Sequence, residues 1–339
     1  PVAGGAVKTS EVTLPGFRHD LCAMNLSMFA GSPFHAAYKT QLEAAGLSLM
    51  PVTHSFSSVL DDGTWLGVDT DLNATATRMA RRSEADARVW KAMAGQFGAD
   101  APHLFGLLGT PVPSWAMARA LWRAWRAKGL PWCMDTARLL LSSPRNWLSA
   151  RFEDDGVRAL MAAWGMHLDF GPDVAGGALF PYLESMANQC FGMALGRGGA
   201  DTIIRAMVRC IEQAGGEVRT GTPVASIRVS GGRAQGVTLA DGTQLDARRA
   251  VVANVHPRQL YGRLLGKAAP DPLPAPARLR PGPGTMMIHL AQDALPAWRA
   301  GAELQRFAYV HVAPSLDQMA RTYREAMAGL LPAEPVLVV

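Results

Sequence analysis

The sequence predicts an α/β chain: a helix–strand–meander–strand unit beside a mixed α+β remainder. Three observations carry this. First, residues 200–214 place Ile203, Ile204, Met207, Val208 and Ile211 on one helical face, and Gly215-Gly216 follows as a glycine C-cap. Second, Glu217–Thr220 leads into three short runs, 224–229, 234–239 and 243–246. Ser-Gly-Gly and Asp241-Gly242 turns separate them, and the apolar run Ala250–Asn254 reads as a buried parallel strand. Third, residues 73–170 switch to helical spacing (Ala76, Met79, Ala80, Ala87, Trp90, Met93, Ala94, Phe97) and hold seven of the nine tryptophans.

The remaining elements follow in order. Residues 1–35 are irregular and contain glycine. Residues 49–72 read as a hairpin, with Val52, Ser55-Phe56 and Val59-Leu60 before the turn Asp61–Thr64 and Trp65–Val68 after it. Asn73 is the expected N-cap of the helical stretch, with further helices over 114–127, 134–141 and 153–168. Pro111, Pro113, Pro131 and Pro144 punctuate them. Residues 258–283 are Pro-rich and read as a linker or wrapping loop. Strands are expected over 285–291 and 307–312, a helix over 315–328 capped by Ser315, and a final strand over 335–339. The chain opens on Pro1-Val2-Ala3 and stops inside an apolar run, so it reads as a fragment of a longer protein.

Composition excludes several classes. At 339 residues and 49% hydrophobic content, two packed domains are the prior. A net charge of +5 is mild, and no basic stripe interleaves with aromatics, which argues against nucleic acid. Cys22, Cys133, Cys190 and Cys210 form no CxxC pair and no zinc spacing. They read as buried free thiols of a cytoplasmic protein, and no metal site is expected. No run is long and apolar enough to span a bilayer. Segment 115–128 (Trp115, Trp122, Trp125, Arg119, Arg123, Arg126, Lys128) is the best candidate for membrane contact; its alternative is a packed helix with a basic outer face. No GxSxG, HExxH or paired-carboxylate signature occurs, so no catalytic residue is assigned. His54, His167, His289 and His311 read as core histidines, and His19 beside Asp20 as a local polar pair.

Four stretches carry a resemblance. They are Gly4-Gly5-Ala6 with Leu14–Asp20; Gly198–Asp201 with the helix ending Ala214–Val218; Val224 to Asn254; and Val310–Asp317. Together they resemble the phytoene-desaturase-like NAD(P)/FAD-dependent oxidoreductases, a glutathione-reductase-type branch that includes carotenoid isomerases. The resemblance implies an incomplete FAD/NAD(P)-binding Rossmann-like domain with its meander, plus a mixed α+β substrate domain. The expected division is 1–48 and 196–265 for the cofactor domain, 49–195 and 266–339 for the substrate domain. The family's GxGxxG unit and ribose-binding acid lie upstream of Gly4.

By the same resemblance FAD is the cofactor, with NAD(P) left open. Gly4, Gly5, Ala6, Gly198, Gly199, Val224 and Asn254 match its contact positions. Many relatives carry Arg where Ala6 stands, which removes one phosphate contact. The implied activity is dehydrogenation or isomerisation of a lipophilic, polyene-like substrate held by the Trp/Met-rich region 73–190. The isolated fragment is expected to hold FAD poorly. Two alternatives stay open: a non-catalytic lipid- or prenyl-binding protein on this scaffold, and an amine-oxidase-like flavoenzyme. The latter needs a lysine near the flavin, whereas Lys8, Lys39, Lys91, Lys128 and Lys267 read as surface residues.

Overall fold

The computed structural model describes residues 2–271, 279 and 281–339. Its N-terminal part is a short hairpin of β1 (Thr9–Ser10) and β2 (His19–Asp20), then α1 (Ser27–Ala30) and α2 (Pro33–Ala44). Helix α2 starts cleanly because Pro33 sits in its first turn and the Ser32 hydroxyl accepts the His35 N–H at 3.0 Å. Its apolar stripe is too short to announce itself, since Leu42 is its one buried residue. Leu26, Leu42, Ala45 and Leu47 close over Ala200, Ile203 and Ala206 in a small core.

The middle of the chain is the larger core. β3 (Leu49–Val52), β4 (His54–Val59) and β5 (Trp65–Asp69) follow, with the β4–β5 turn where the sequence puts it. Helices α3 (Leu72–Ala80), α4 (Glu84–Leu108), α5 (Trp115–Leu141), α6 (Pro144–Ser149), α7 (Asp155–Met166) and α8 (Leu179–Phe191) cover them. The N-cap of α3 is Asp71, not Asn73. Its carboxylate accepts the N–H groups of Asn73 at 2.9 Å and Ala74 at 3.2 Å, a stronger cap than an amide gives at a helix's positive end. The helical stretch also breaks at Arg81–Ser83, where the Ser83 hydroxyl caps α4. Helix α5 bends at Gly129, whose φ of 81° a side-chain-bearing residue adopts only with strain. Trp90, Phe97, Met79, Met161 and Met186 are fully buried, so much of the Trp/Met content is packing.

After β6 (Met193–Gly196), which pairs antiparallel with β3, comes α9 (Thr202–Gln213), then β7 (Val224–Ser230), β8 (Arg233–Leu239) and β9 (Gln244–Asp246). These last three form the expected antiparallel meander. The two flanking strands are a correction: 217–220 and 250–254 are irregular, and Val252 is 91% exposed. A parallel strand needs neighbours to take its backbone groups, and among the described residues none pairs with either run.

The start of the Pro-rich stretch is also helical: α10 (Pro257–Gln259) runs into a π turn, Leu260–Leu264, against β7. The remainder of that stretch at 272–278 and 280 lies outside the described residues. Residues 285–291 form no strand, and Met286, Ile288 and Leu290 are exposed. β10 (Tyr309–Val312) joins β4 in parallel, α11 (Leu316–Met327) begins at the Ser315 cap, and β11 (Leu337–Val338) pairs antiparallel with β10. The cysteines are free, but Cys22 and Cys190 are exposed rather than buried. Among the described residues no helix is long and apolar enough to cross a membrane.

Candidate functional site

The turn before α9 is held by side chains from the N-terminal hairpin. Gly198 and Gly199 have φ of 73° and 121°. The Ala200 N–H donates to the Asp20 carboxylate at 2.8 Å, and the Asp201 N–H to the Thr9 hydroxyl at 3.2 Å. The Thr9 hydroxyl donates in turn to Asp20. The Asp201 N–H is the N-cap donor of α9 and the Ala200 N–H directly precedes it, at the kind of helix start where an anion would otherwise bind. Here the protein's own carboxylate takes that place. Arg18 and Arg205 both reach Asp201, Arg18 at 3.6 Å. His19 does not pair with Asp20: neighbours on a strand point to opposite faces, and the His19 ring instead meets the Thr13 hydroxyl at 2.7 Å.

The same hairpin approaches the β4–β10 sheet through Tyr309. Burial raises the Tyr309 phenol to about 12; the Glu184 and Asp20 carboxylates add to this, and the Asn25 backbone N–H opposes it. Burial also pushes Glu184 on α8 above the usual carboxylate range. Two weak acids thus face one region where α8, β10 and residues 20–25 converge. Neither forms a nucleophile–base couple, so the arrangement supplies two desolvated polar groups and no catalytic pair. Sequence reasoning missed both residues. The alternation Tyr309-Val310-His311 was the available signal, since it sets Tyr309 and His311 on one strand face.

Next to Tyr309, His311 is fully buried and its Nε2 lies 3.0 Å from His167 Nε2. Trp164 packs against both rings, with centroids 4.9 Å from His167 and 5.5 Å from His311. At that spacing one Nε2 donates and the other accepts, so a further proton sets two N–H groups against each other. Burial is the main cause that lowers both: His167 falls to about 4, and His311 goes well below its ordinary value. His167 is exposed at the end of α7, while its ring packs against Trp164 and the buried His311. His54 and His289 are half-buried rather than core residues, His289 lying against the His19 ring at 5.2 Å.

A pH effect follows. Depressed imidazoles make the unfolded chain the better proton acceptor, so stability is full above about 6.5 and declines as pH falls toward 4. Urea midpoints are expected to be lower at pH 5 than at pH 7, and His311→Gln is expected to narrow that gap. An unchanged gap in the variant removes the pair as its source.

Of the residues matched by resemblance, five gather around the start of α9. Gly4 abuts Ile204, Gly5 and Ala6 are exposed beside it, and Gly198-Gly199 form the turn itself. Val224 opens β7 opposite Leu239, and Asn254 is exposed in the irregular run that follows the meander. Lys128 is not a free surface residue, because it pairs with Asp100 at 2.6 Å.

Residues 128–321 match the family described as flavin containing amine oxidoreductase. The chain belongs to this family, whose cofactor is FAD. Among curated relatives, it is 36% identical over 133 residues to an all-trans-zeta-carotene desaturase of Myxococcus xanthus, covering 39% of this chain and 23% of the relative. It is 30% identical over 225 residues to a hydroxyneurosporene desaturase of Cereibacter sphaeroides, covering 63% and 41%. A phytoene desaturase (neurosporene-forming) of Rhodobacter capsulatus is 39% identical over 104 residues, covering 29% and 20%. The chain therefore spans less than half the length of these relatives. Among solved structures, an oxidoreductase from Methanosarcina mazei aligns with TM-score 0.43 at 18% identity, covering 76% of this chain and 52% of that one. Putrescine oxidase bound to putrescine aligns with TM-score 0.42 at 19% identity, covering 77% and 52%.

Proposed function

We propose that the protein is an FAD-dependent oxidoreductase that dehydrogenates a lipophilic, carotenoid-like polyene. The observation that carries this reading is the set of relatives: three carotenoid desaturases of different specificity match within a flavin oxidoreductase family. In this reading segments 1–48 and 196–265 serve the cofactor, and 49–195 and 266–339 the substrate.

The residues present fit a flavin in part. A Cβ at Gly5 would meet nothing within 4 Å, and Gly5, Ala6 and Gly198 are exposed, so backbone at these positions is open to a ligand. The start of α9 does not fit a phosphate, because Asp20 and Thr9 hold the Ala200 and Asp201 N–H groups. Gly5, Ala6 and Gly198 would therefore be contact positions, and Gly199 a packing one; Val224 and Asn254 would hold the far end by backbone contact. The flavin, when bound, supplies the hydride acceptor. The chain's own part is to exclude water and present Tyr309 and Glu184 beside the substrate.

The test is flavin content and product formation by the complete gene product. It is expected to purify with FAD and to convert phytoene in lipid vesicles to a more conjugated product, read as a red shift in absorbance. Gly5→Val is expected to lower FAD affinity about tenfold with a fold cost near 1 kcal/mol, the ordinary penalty for a side chain in the left-handed region. Protein that takes up no flavin refutes the proposal and favours a non-catalytic lipid-binding role.

A further inference from the structure

Helix α5 has two unlike sides. One rests on α4: Ala124 is buried, Lys128 pairs with Asp100, and the Trp132 ring meets His103 with centroids 5.9 Å apart. The opposite side faces away from the protein. Trp115, Trp122 and Trp125 are 87%, 57% and 49% exposed, and Leu121 lies among them. At 100° per residue these four occupy one arc, and Arg119, Arg123 and Arg126 occupy the adjacent one. The apolar side continues into the preceding turn and the end of α4 through Val112, Leu108 and Phe105, all exposed. Large aromatic side chains at such exposure are not packing elements, and a patch of this kind marks an interaction surface.

Charge decides which surface it meets. Between Asp100 and Asp135 the chain carries no acidic residue, while Arg119, Arg123, Arg126 and Lys128 are basic. Lys128 is neutralised by Asp100, so the free charge on the outward face is the three arginines, and it is all of one sign. Arg126 lies over the Trp122 ring at 5.8 Å, which keeps its guanidinium at the apolar border. Tryptophan and leucine flanked by arginine, on a helix that does not span, is the pattern of a helix lying in the plane of a lipid interface. Trp and Tyr favour the headgroup level because one end is apolar and the other a donor.

We propose that the outward face of α5, continued by the Leu108–Val112 turn, docks the protein on an anionic lipid surface. The tryptophans enter the acyl boundary and Arg119, Arg123 and Arg126 meet headgroup phosphates. This inference does not rest on the flavin reading, and it holds for a lipid-binding protein equally.

The experiment is co-sedimentation of the purified protein with vesicles of phosphatidylcholine alone and of phosphatidylcholine mixed with phosphatidylglycerol. Binding is expected to the mixed vesicles and to weaken as salt rises. Trp115→Ser, Trp122→Ser and Trp125→Ser together are expected to lower partitioning by about tenfold or more. Arg119→Gln, Arg123→Gln and Arg126→Gln together are expected to remove the preference for anionic lipid. Circular dichroism melts check that these surface variants still fold. If a variant does not fold, quenching of the wild-type tryptophans by brominated lipid replaces it and is expected to be strong. Absence of vesicle binding at low salt, equal binding by the tryptophan variant, or no quenching overturns the proposal. So does a dimer in solution that the tryptophan variant splits, which would assign the face to a second copy of the chain.

Discussion

Asp86→Ala is expected to destabilise the helical layer by about 3 kcal/mol, because it removes a buried carboxylate and leaves two backbone donors without their acceptor. Asp86 is fully buried in the first turn of α4. Its two oxygens accept the N–H groups of Glu153 at 2.8 Å and Asp154 at 2.9 Å, at the bend before α7. Charge-assisted bonds of this kind are roughly twice as strong as neutral ones. The bend matters because Asp154 is the N-cap of α7, accepting the Val157 N–H at 3.0 Å, and also holds the Arg82 guanidinium. Arg82 in turn reaches Asp62 and Thr64 in the β4–β5 turn. A single carboxylate therefore anchors a chain of contacts from α4 through α7 to the hairpin. Asp86→Asn keeps one acceptor and is expected to lose about half as much. Urea unfolding at pH 7 reads both; a loss below about 1 kcal/mol in the alanine variant means the bend finds other acceptors.

What the sequence displays follows from where each signal resides. The meander and the β4–β5 hairpin were legible because their turns are local chemistry: Ser-Gly-Gly, Asp-Gly and alternation over a few residues. Helix α9 was legible from its apolar face, and α11 from Ser315. The strand-like runs 217–220 and 250–254 failed because a parallel strand is a property of its neighbours, and apolar content alone cannot supply them. Helix α2 went unseen because it is stabilised by contacts with α9, more than 150 residues away along the chain, such as the bond from Arg209 to the Ala45 carbonyl at 3.0 Å.

The site divides in the same way. Glycines at 4, 5, 198 and 199 stand out in a sequence. The carboxylate that fills the start of α9 does not, since Asp20 and Ala200 meet only in the fold. Tyr309 and Glu184 were invisible for the same reason: each is ordinary on its own element, and burial at a shared seam gives them their chemistry.

The glycine turn supplies the other large effect, and it separates a packing role from a cofactor role. Gly199→Ala is expected to cost about 3 kcal/mol or more, against about 1 kcal/mol for Gly198→Ala. Both glycines have positive φ, so both substitutions carry the backbone penalty. They differ in what the new methyl meets. At Gly198 the nearest atom is the Arg18 guanidinium at 3.4 Å, the end of a flexible side chain that can move aside. At Gly199 the methyl would lie 2.4 Å from both the Cγ2 and the Oγ1 of Thr9. Thr9 cannot yield freely, because its hydroxyl takes the Asp201 N–H and donates to Asp20, which holds the Ala200 N–H. Displacing it leaves the Asp201 N–H unpaired and takes a donor from the Asp20 carboxylate at the edge of the core formed by Ala200, Ile203 and Leu42. Thr9→Gly removes the collision at the cost of the two hydrogen bonds of the Thr9 hydroxyl, bonds that the collision already breaks, so the double variant Thr9→Gly with Gly199→Ala is expected to be more stable than Gly199→Ala alone. Thermal melts of the four proteins in that cycle give the coupling energy directly. Additive effects of the two substitutions, or equal losses at positions 198 and 199, would show that the turn is set by something other than the Thr9 contact.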